Sequence, residues 1–167
     1  MEKVRRDPAS KGRFRIRQAT LRDVAVLVHH RRGMWEDMGE RNTTSLDRAD
    51  VNFERWVRLK IHNGEVVGWI VETSDHRVVG GGCVWIRPVQ PRPNLSDLFD
   101  PYLFSMYTEP GFRREGVASL ILRKAVQWSR RNGYRRIRLH ASKKGRHLYR
   151  KYGFTRTWEM QFDLLPH

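Results

Sequence analysis

The sequence predicts a mixed α/β domain: a central, mostly antiparallel sheet flanked by helices, in the order β-α-α-β-β-β-α-β-α-β. Three observations carry this expectation. Residues 102–108 read as a strand, turn through basic residues and Gly116 into a long amphipathic segment, and lead to a second alternating stretch at 136–140. That is a strand–helix–strand crossover, which joins parallel neighbours. Two extended runs, 66–71 and 78–86, flank a short polar turn and form a hairpin. Two helical patterns precede that hairpin, so helices are available to cover the sheet.

In chain order, residues 1–12 are charged and hold Pro8 and Gly12, and they read as a flexible leader before a single domain at 13–167. Arg13 to Arg17 alternates charged and apolar residues, a period-two strand. Thr20 precedes Leu21, Val24, Ala25 and Val28, with Asp23 three residues on, the pattern of a capped helix start. This helix is expected to end near Gly33. Asn42 to Ser45 reads as a loop, and a second helix as Asp47 to Ile61, closing at Asn63-Gly64. In the strand at 78–86, Gly80-Gly81-Gly82 marks a bulge or a close backbone approach.

The stretch Pro88 to Pro101 holds four prolines and reads as a loop. The long helix runs from about Gly116 to Asn132, with Val117, Leu120, Ile121, Ala125 and Trp128 on its inner stripe and Gly133 as its stop. A short helix from Gly145 to Tyr152 and a last strand from Phe154 to Leu164 complete the order.

The chain has 167 residues, a size for one domain, and 39% of them are hydrophobic. It holds no apolar run near the roughly 20 residues that cross a bilayer. With no signal-peptide pattern at its start, the expected location is cytoplasmic and no membrane partner is expected. One cysteine, Cys83, excludes an internal disulfide and a cysteine-rich zinc site, and in its apolar run it reads as a buried small hydrophobe. The 33 Lys and Arg against 18 Asp and Glu leave a net charge of +15, which favours polyanions or a phosphate-rich small molecule. His29-His30 are adjacent, face different ways, and read as helix surface, not a metal pair. No metal is expected.

The chemistry concentrates at Arg113-Arg114-Glu115-Gly116-Val117-Ala118. The first N–H groups of a helix lack partners within it, and the macrodipole adds positive potential. A glycine at that point lets a phosphate approach the backbone. A Walker A loop would need Lys-Ser/Thr where Val117-Ala118 stand, so an NTPase is excluded. A dinucleotide fold would need G-x-G-x-x-G and a following acidic residue, and neither is present.

Thr108-x-Pro110-x-x-Arg113-x-x-Gly116-x-Ala118 resembles motif A of the GCN5-related N-acetyltransferases (GNAT), whose pattern is Gln/Arg-x-x-Gly-x-Gly/Ala. Leu148-Tyr149-x-x-Tyr152-Gly153-Phe154 resembles the end of that family's motif B, and Arg17 to Asp23 is similar to the opening of many bacterial members. Ala118 stands where many members carry glycine. The resemblance spans about residues 13–164.

It implies a GNAT-like acyl-CoA N-acyltransferase fold and an enzyme that uses acetyl-CoA as cosubstrate. Backbone groups around Arg114 and from Gly116 through Val117, Ala118 and Ser119 would cradle the pyrophosphate, with Arg113 nearby. Backbone atoms of Met106 and Thr108 would pair with the pantetheine arm between the splayed strands 102–108 and 136–140.

Attack of an amine on a thioester makes an oxyanion, for which the resemblance offers the backbone N–H near Met106 or Tyr107. The departing thiolate takes a proton, and motif position makes Tyr149 the acid. The amine, with a pKa near 10.4, must first lose a proton. Glu36, Asp37, Glu72 and Glu109 are the carboxylates considered for that base, and none is singled out. Met34, Trp35 and Met38, beside Glu36 and Asp37, fall where the family's acceptor pocket is walled, which makes Met34 to Gly39 the acceptor segment and Met34, Trp35 and Glu36 its candidate residues. The expected partners are acetyl-CoA and an amine acceptor, with a homodimer left open. A basic nucleic-acid-binding module and a non-catalytic acyl-CoA sensor are the alternatives, although no nucleic-acid-binding signature is present.

Overall fold

The computed structural model describes residues 12–91, 93 and 98–164. The leader expected at 1–12 lies, apart from Gly12, outside the described residues. The elements are β1 (Phe14–Gln18), α1 (Val24–Asp37), α2 (Thr43–His62), β2 (Val66–Thr73), β3 (Val78–Pro88), β4 (Phe99–Thr108), α3 (Val117–Arg131), β5 (Arg138–Leu139) and α4 (Arg146–Lys151). They form one five-stranded sheet in the order β1-β2-β3-β4-β5. Neighbours from β1 to β4 run antiparallel, and β4 and β5 run parallel across the α3 crossover.

The chain begins as predicted. The Thr20 side chain accepts from the Arg22 N–H, and the Asp23 carboxylate accepts from the Thr20 N–H at 2.8 Å, completing a capping box. A single 3-10 turn, Leu21–Asp23, then leads into α1. Arg17 ties this corner to the sheet, donating to Asp23 Oδ1 at 2.7 Å and to Glu72 Oε1 at 2.7 Å. Both carboxylates are buried, so the shared guanidinium is what makes their burial tolerable.

Three boundaries differ from the sequence reading. Helix α1 continues past Gly33 to Asp37, which puts Met34 and Trp35 inside it. Helix α2 begins at Thr43 because Asn42 Oδ1 accepts the Ser45 N–H at 3.0 Å, so a presumed loop is a capped first turn. Strand β4 begins at Phe99 and includes Pro101, which precedes the β5 pairing and so removes no ladder bond on that edge.

The C-terminal expectation is corrected. Strand β5 is two residues long, not five, and residues 154–164 form no strand. With so short a β5, little ladder is available for another strand to pair with. Trp158, Met160, Phe162 and Leu164 stand more than four-fifths exposed.

The sheet carries helices on both faces, and side chains alternate between them. Ile70 and Cys83 point to α1 and α2, joining Val24, Leu27, Phe53 and Val57. Trp69, Val84 and Leu103 point to α3, meeting Leu122 and Ala125. Val71 and Val79 meet Val117 and Ile121 on the same face.

The glycine triplet of β3 is explained by close approach on both faces, and the β3–β4 register shifts between Gly81 and Cys83. A Cβ on Gly81 would lie 2.9 Å from His30 Nδ1 and 2.8 Å from the Trp69 carbonyl. One on Gly82 would lie 2.7 Å from Met106 Sδ and 2.8 Å from Ile121, and one on Gly80 2.8 Å from Val117. Gly81→Ala is therefore expected to lower stability by about 1–3 kcal/mol, read as a shift in urea midpoint. Gly111→Ala, whose Cβ would meet nothing within 4 Å, serves as the neutral control.

Candidate active site

The site grows from the end of β4. Its pairs with β5 are Tyr102↔Arg138 and Leu103↔Leu139, after which β4 runs on to Thr108 paired with β3 alone. Beyond that point the β4 edge from Phe104 onward has no strand partner on that side among the described residues. The Glu109 N–H bonds the Val79 carbonyl on β3 at 2.9 Å. Backbone polarity alternates along a strand, so Tyr107 also faces β3 and Thr108 turns its polar groups to the other edge, while Met106 lies in the register shift between Gly81 and Cys83. Ser105 breaks the regularity with a φ of 51°, a left-handed residue at the β4 bulge.

Strand β4 leads through a 3-10 turn, Pro110–Phe112, into the loop at Arg113 to Gly116. Arg114 has a φ of 67° and Gly116 a φ of 89°. Arg113 before them is extended, so the chain turns sharply at Arg114 and again at Gly116, where a left-handed residue meets the right-handed start of α3. Gly116 is the N-cap of α3 and offers no side-chain cap, leaving the first N–H groups of Val117, Ala118 and Ser119 free for another acceptor. The space where a Gly116 Cβ would stand is open, with nothing within 4 Å.

The Arg113 side chain is committed elsewhere. It donates to the Thr108 carbonyl at 3.1 Å and to Asp37 at the end of α1 at 2.5 Å. Arg114 is exposed. A second tie runs from His29 Nε2 to Glu109 Oε1, 2.8 Å apart. The two bridges fasten α1 to the turn that follows β4. They also place the carboxylates once considered as bases: Asp37 and Glu109 lie at this turn, Glu36 is exposed beside Arg32, and Glu72 is held by Arg17.

Tyr149 sits on α4, half-buried against the Trp69–Leu103–Leu122 cluster with its ring edge-on to Phe154 at 5.9 Å. Burial raises its hydroxyl above the ordinary tyrosine value, so it stays protonated at neutral pH. Tyr152 and Phe154 pack against the same cluster. Cys83 is fully buried, and desolvation pushes its thiol up to about 12, which leaves it inert.

Met34, Trp35 and Glu36 occupy the last turns of α1, the first two half-buried and Glu36 exposed. Between them and the sheet lies a residue that the sequence reading passed over, Arg31. Its Nη1 donates to Ser105 Oγ at 3.1 Å, and its guanidinium carbon lies 4.6 Å from the Phe53 ring centre. Its signal was present in the spacing: Leu27, Arg31 and Trp35 are four apart and share one helix face.

His30 corrects the surface reading of the histidine pair. It is 1% exposed, its ring 5.4 Å from that of Tyr107, and neither ring nitrogen has a partner. Desolvation, with His29 adding to it, holds its pKa down at about 4 from an ordinary 6.5. The folded state therefore refuses a proton that the unfolded chain accepts. Stability is complete above about pH 6.5 and falls as pH drops towards 4, by roughly 3 kcal/mol in all. Asp23, held to about 2 by its hydrogen bond from Arg17, adds a loss only below about pH 4. Urea midpoints measured from pH 7.5 to 4 should show the slope in the wild type and lose most of it in His30→Leu.

Among the described residues no group of three or more His, Cys, Asp or Glu is disposed to hold a metal, and no helix is long and apolar enough to cross a membrane.

A family model described as "Acetyltransferase (GNAT) family" matches residues 26–154. The fold is similar to a predicted acetyltransferase from Clostridium acetobutylicum crystallised with acetyl-CoA, at 29% identity and a TM-score of 0.83 over 92% of this chain and 98% of that one. It is similar also to a GCN5-related N-acetyltransferase from Ralstonia eutropha JMP134, at 22% identity and a TM-score of 0.83 over 90% of this chain and 98% of the other. The aminoglycoside N-acetyltransferase AAC(6')-Iy in complex with CoA shares the fold at 18% identity and a TM-score of 0.69, over 90% and 93% of the two chains. No curated protein matches.

Proposed function

The chain belongs to the acetyltransferase (GNAT) family, and on that premise we propose that it transfers an acetyl group from acetyl-CoA to a primary amine by direct attack. One observation carries the reading furthest. Strand β4 continues past its last pair with β5 and leads to a loop, with Arg114 and Gly116 left-handed, at the uncapped head of α3. An unpaired strand edge that leads to an uncapped helix start suits a ligand with an amide-bearing arm and a pyrophosphate end.

In this reading the N–H groups around Arg114 and of Val117, Ala118 and Ser119 hold the pyrophosphate, with Gly116 supplying the clearance and Arg114 added charge. Arg113 braces the loop through Asp37 and Thr108 and acts on the ligand only through the backbone it shapes. Met106 and Thr108 offer their backbone groups to the arm. The acetyl thioester supplies the electrophilic carbonyl, and the Met106 N–H is the donor for the oxygen on which charge develops. Tyr149 holds the proton destined for the sulfur.

The test couples two measurements. Calorimetry should find acetyl-CoA bound by the purified protein, and a panel of primary amines should release free CoA thiol in proportion to acetylated product. Binding without acetylation of any amine would leave an acyl-CoA sensor and overturn the catalytic reading.

A further inference from the structure

We propose that Arg31 anchors a carboxylate on the acceptor, so that the amine acetylated at this site belongs to an amino acid. The inference rests on the acetyl-transfer reading for its chemistry and on Arg31's surroundings for its substance.

Arg31 and Arg32 are neighbours with opposite circumstances. Arg32 meets three carboxylates, that of Glu36 on α1 and those of Asp47 and Asp50 on α2. Arg31 turns towards the sheet and, among the described residues, has no carboxylate within salt-bridge reach. Its guanidinium lies over Phe53 and 5.5 Å from the ring centre of Trp35. Partial burial pushes its pKa down from the ordinary value, and no carboxylate offsets it. A cation in such a place is costly unless an anion joins it.

The geometry says which kind of anion. Nη1 is committed to Ser105 Oγ, and no described residue accepts from Nε or Nη2. Those two donors form the side edge of the guanidinium fork, which matches the two oxygens of a carboxylate in one plane. Aromatic rings against the guanidinium favour a flat ligand in that plane. The position says where the amine must be. Ser105 directly precedes Met106, the residue whose N–H faces the reacting carbonyl in the reading above. A carboxylate on Arg31 is thus only a few bonds from the point of attack. Amine and acid must then sit close together in one small molecule, as they do in an amino acid.

The experiment pairs each of the standard α-amino acids and β-alanine with its own carboxamide, titrated into the protein saturated with CoA. At least one acid should bind, and its amide should bind at least ~30-fold more weakly, the worth of one charge-assisted fork. Arg31→Met should bring acid and amide to equal affinity with acetyl-CoA binding unchanged. Arg31→Lys, which keeps the charge and loses the fork, should fall between them. Thiol release measured on the same pairs should show the acid preference as a difference in KM.

Failure to bind any acid, or a preference for acids that survives Arg31→Met, overturns the inference. The two readings separate cleanly. Amides acetylated as well as acids would uphold transfer and remove the anchor. An acid bound through Arg31 but never acetylated would uphold the anchor and remove transfer.

Discussion

Replacing Gly116 with glutamate should weaken acetyl-CoA binding by at least ~100-fold, or about 2.7 kcal/mol. Two effects act together. Gly116 has a φ of 89°, where a residue with a Cβ is strained by roughly 1–2 kcal/mol. The added carboxylate also stands in the open space before α3, where the proposed pyrophosphate would be. Like charges at a helix start that is otherwise favourable to anions reverse the attraction of the site. Gly116→Ala separates the two effects, since it adds the strain without the charge. Gly111→Glu places the same charge on the exposed turn nearby and should leave affinity within a few-fold. Calorimetry gives the affinities, and thermal melting shows that each variant is folded. Unchanged affinity in Gly116→Glu would move the pyrophosphate elsewhere.

Tyr149→Phe should lower kcat by about 10²–10⁴-fold, the usual contribution of a positioned acid. Acetyl-CoA affinity and melting temperature should change little. Phenylalanine keeps the ring that packs on Phe154 and on Gly145, where a Cβ would come within 3.0 Å of the tyrosine ring. Only the hydroxyl is lost. Because burial raises the hydroxyl's pKa, the proton should remain in place through neutral and mildly alkaline pH, and the alkaline limb of the wild-type rate profile should fall only above the ordinary tyrosine range. An acceptor whose leaving step is not limiting would show the smaller effect, so single-turnover rates give the clearest reading. Wild-type turnover in the variant would take Tyr149 out of the chemistry.

What was legible in the sequence was what is local. Thr20 and Asp23 are three residues apart, and their capping box forms as read. Gly116 and Gly133 bracket α3 with left-handed backbone because glycine alone tolerates it cheaply. What was not legible depends on distant partners. The Gly81–His30 approach joins residues 51 positions apart in the chain, and no spacing rule announces it. The last strand failed because a strand exists only through its neighbour, and β5 is two residues long. Met34, Trp35 and Glu36 were chosen by position, yet the residue with the more telling environment is Arg31, one turn earlier. A charged residue on an apolar helix stripe was the clue.

The three glycines of β3 have a mechanical meaning beyond packing. Side chains ordinarily pad the two faces of a sheet, and rotamer changes absorb small movements of the helices above and below. Here there is no padding: α1 rests through His30 on Gly81, and α3 rests through Ile121 and Val117 on Gly82 and Gly80. Protein interiors compress very little, and only backbone separates the side chains of α1 from those of α3 at these positions. The helix that heads the proposed donor cradle and the helix that bears Arg31 thus bear on the same bare stretch of backbone, Gly80 to Gly82.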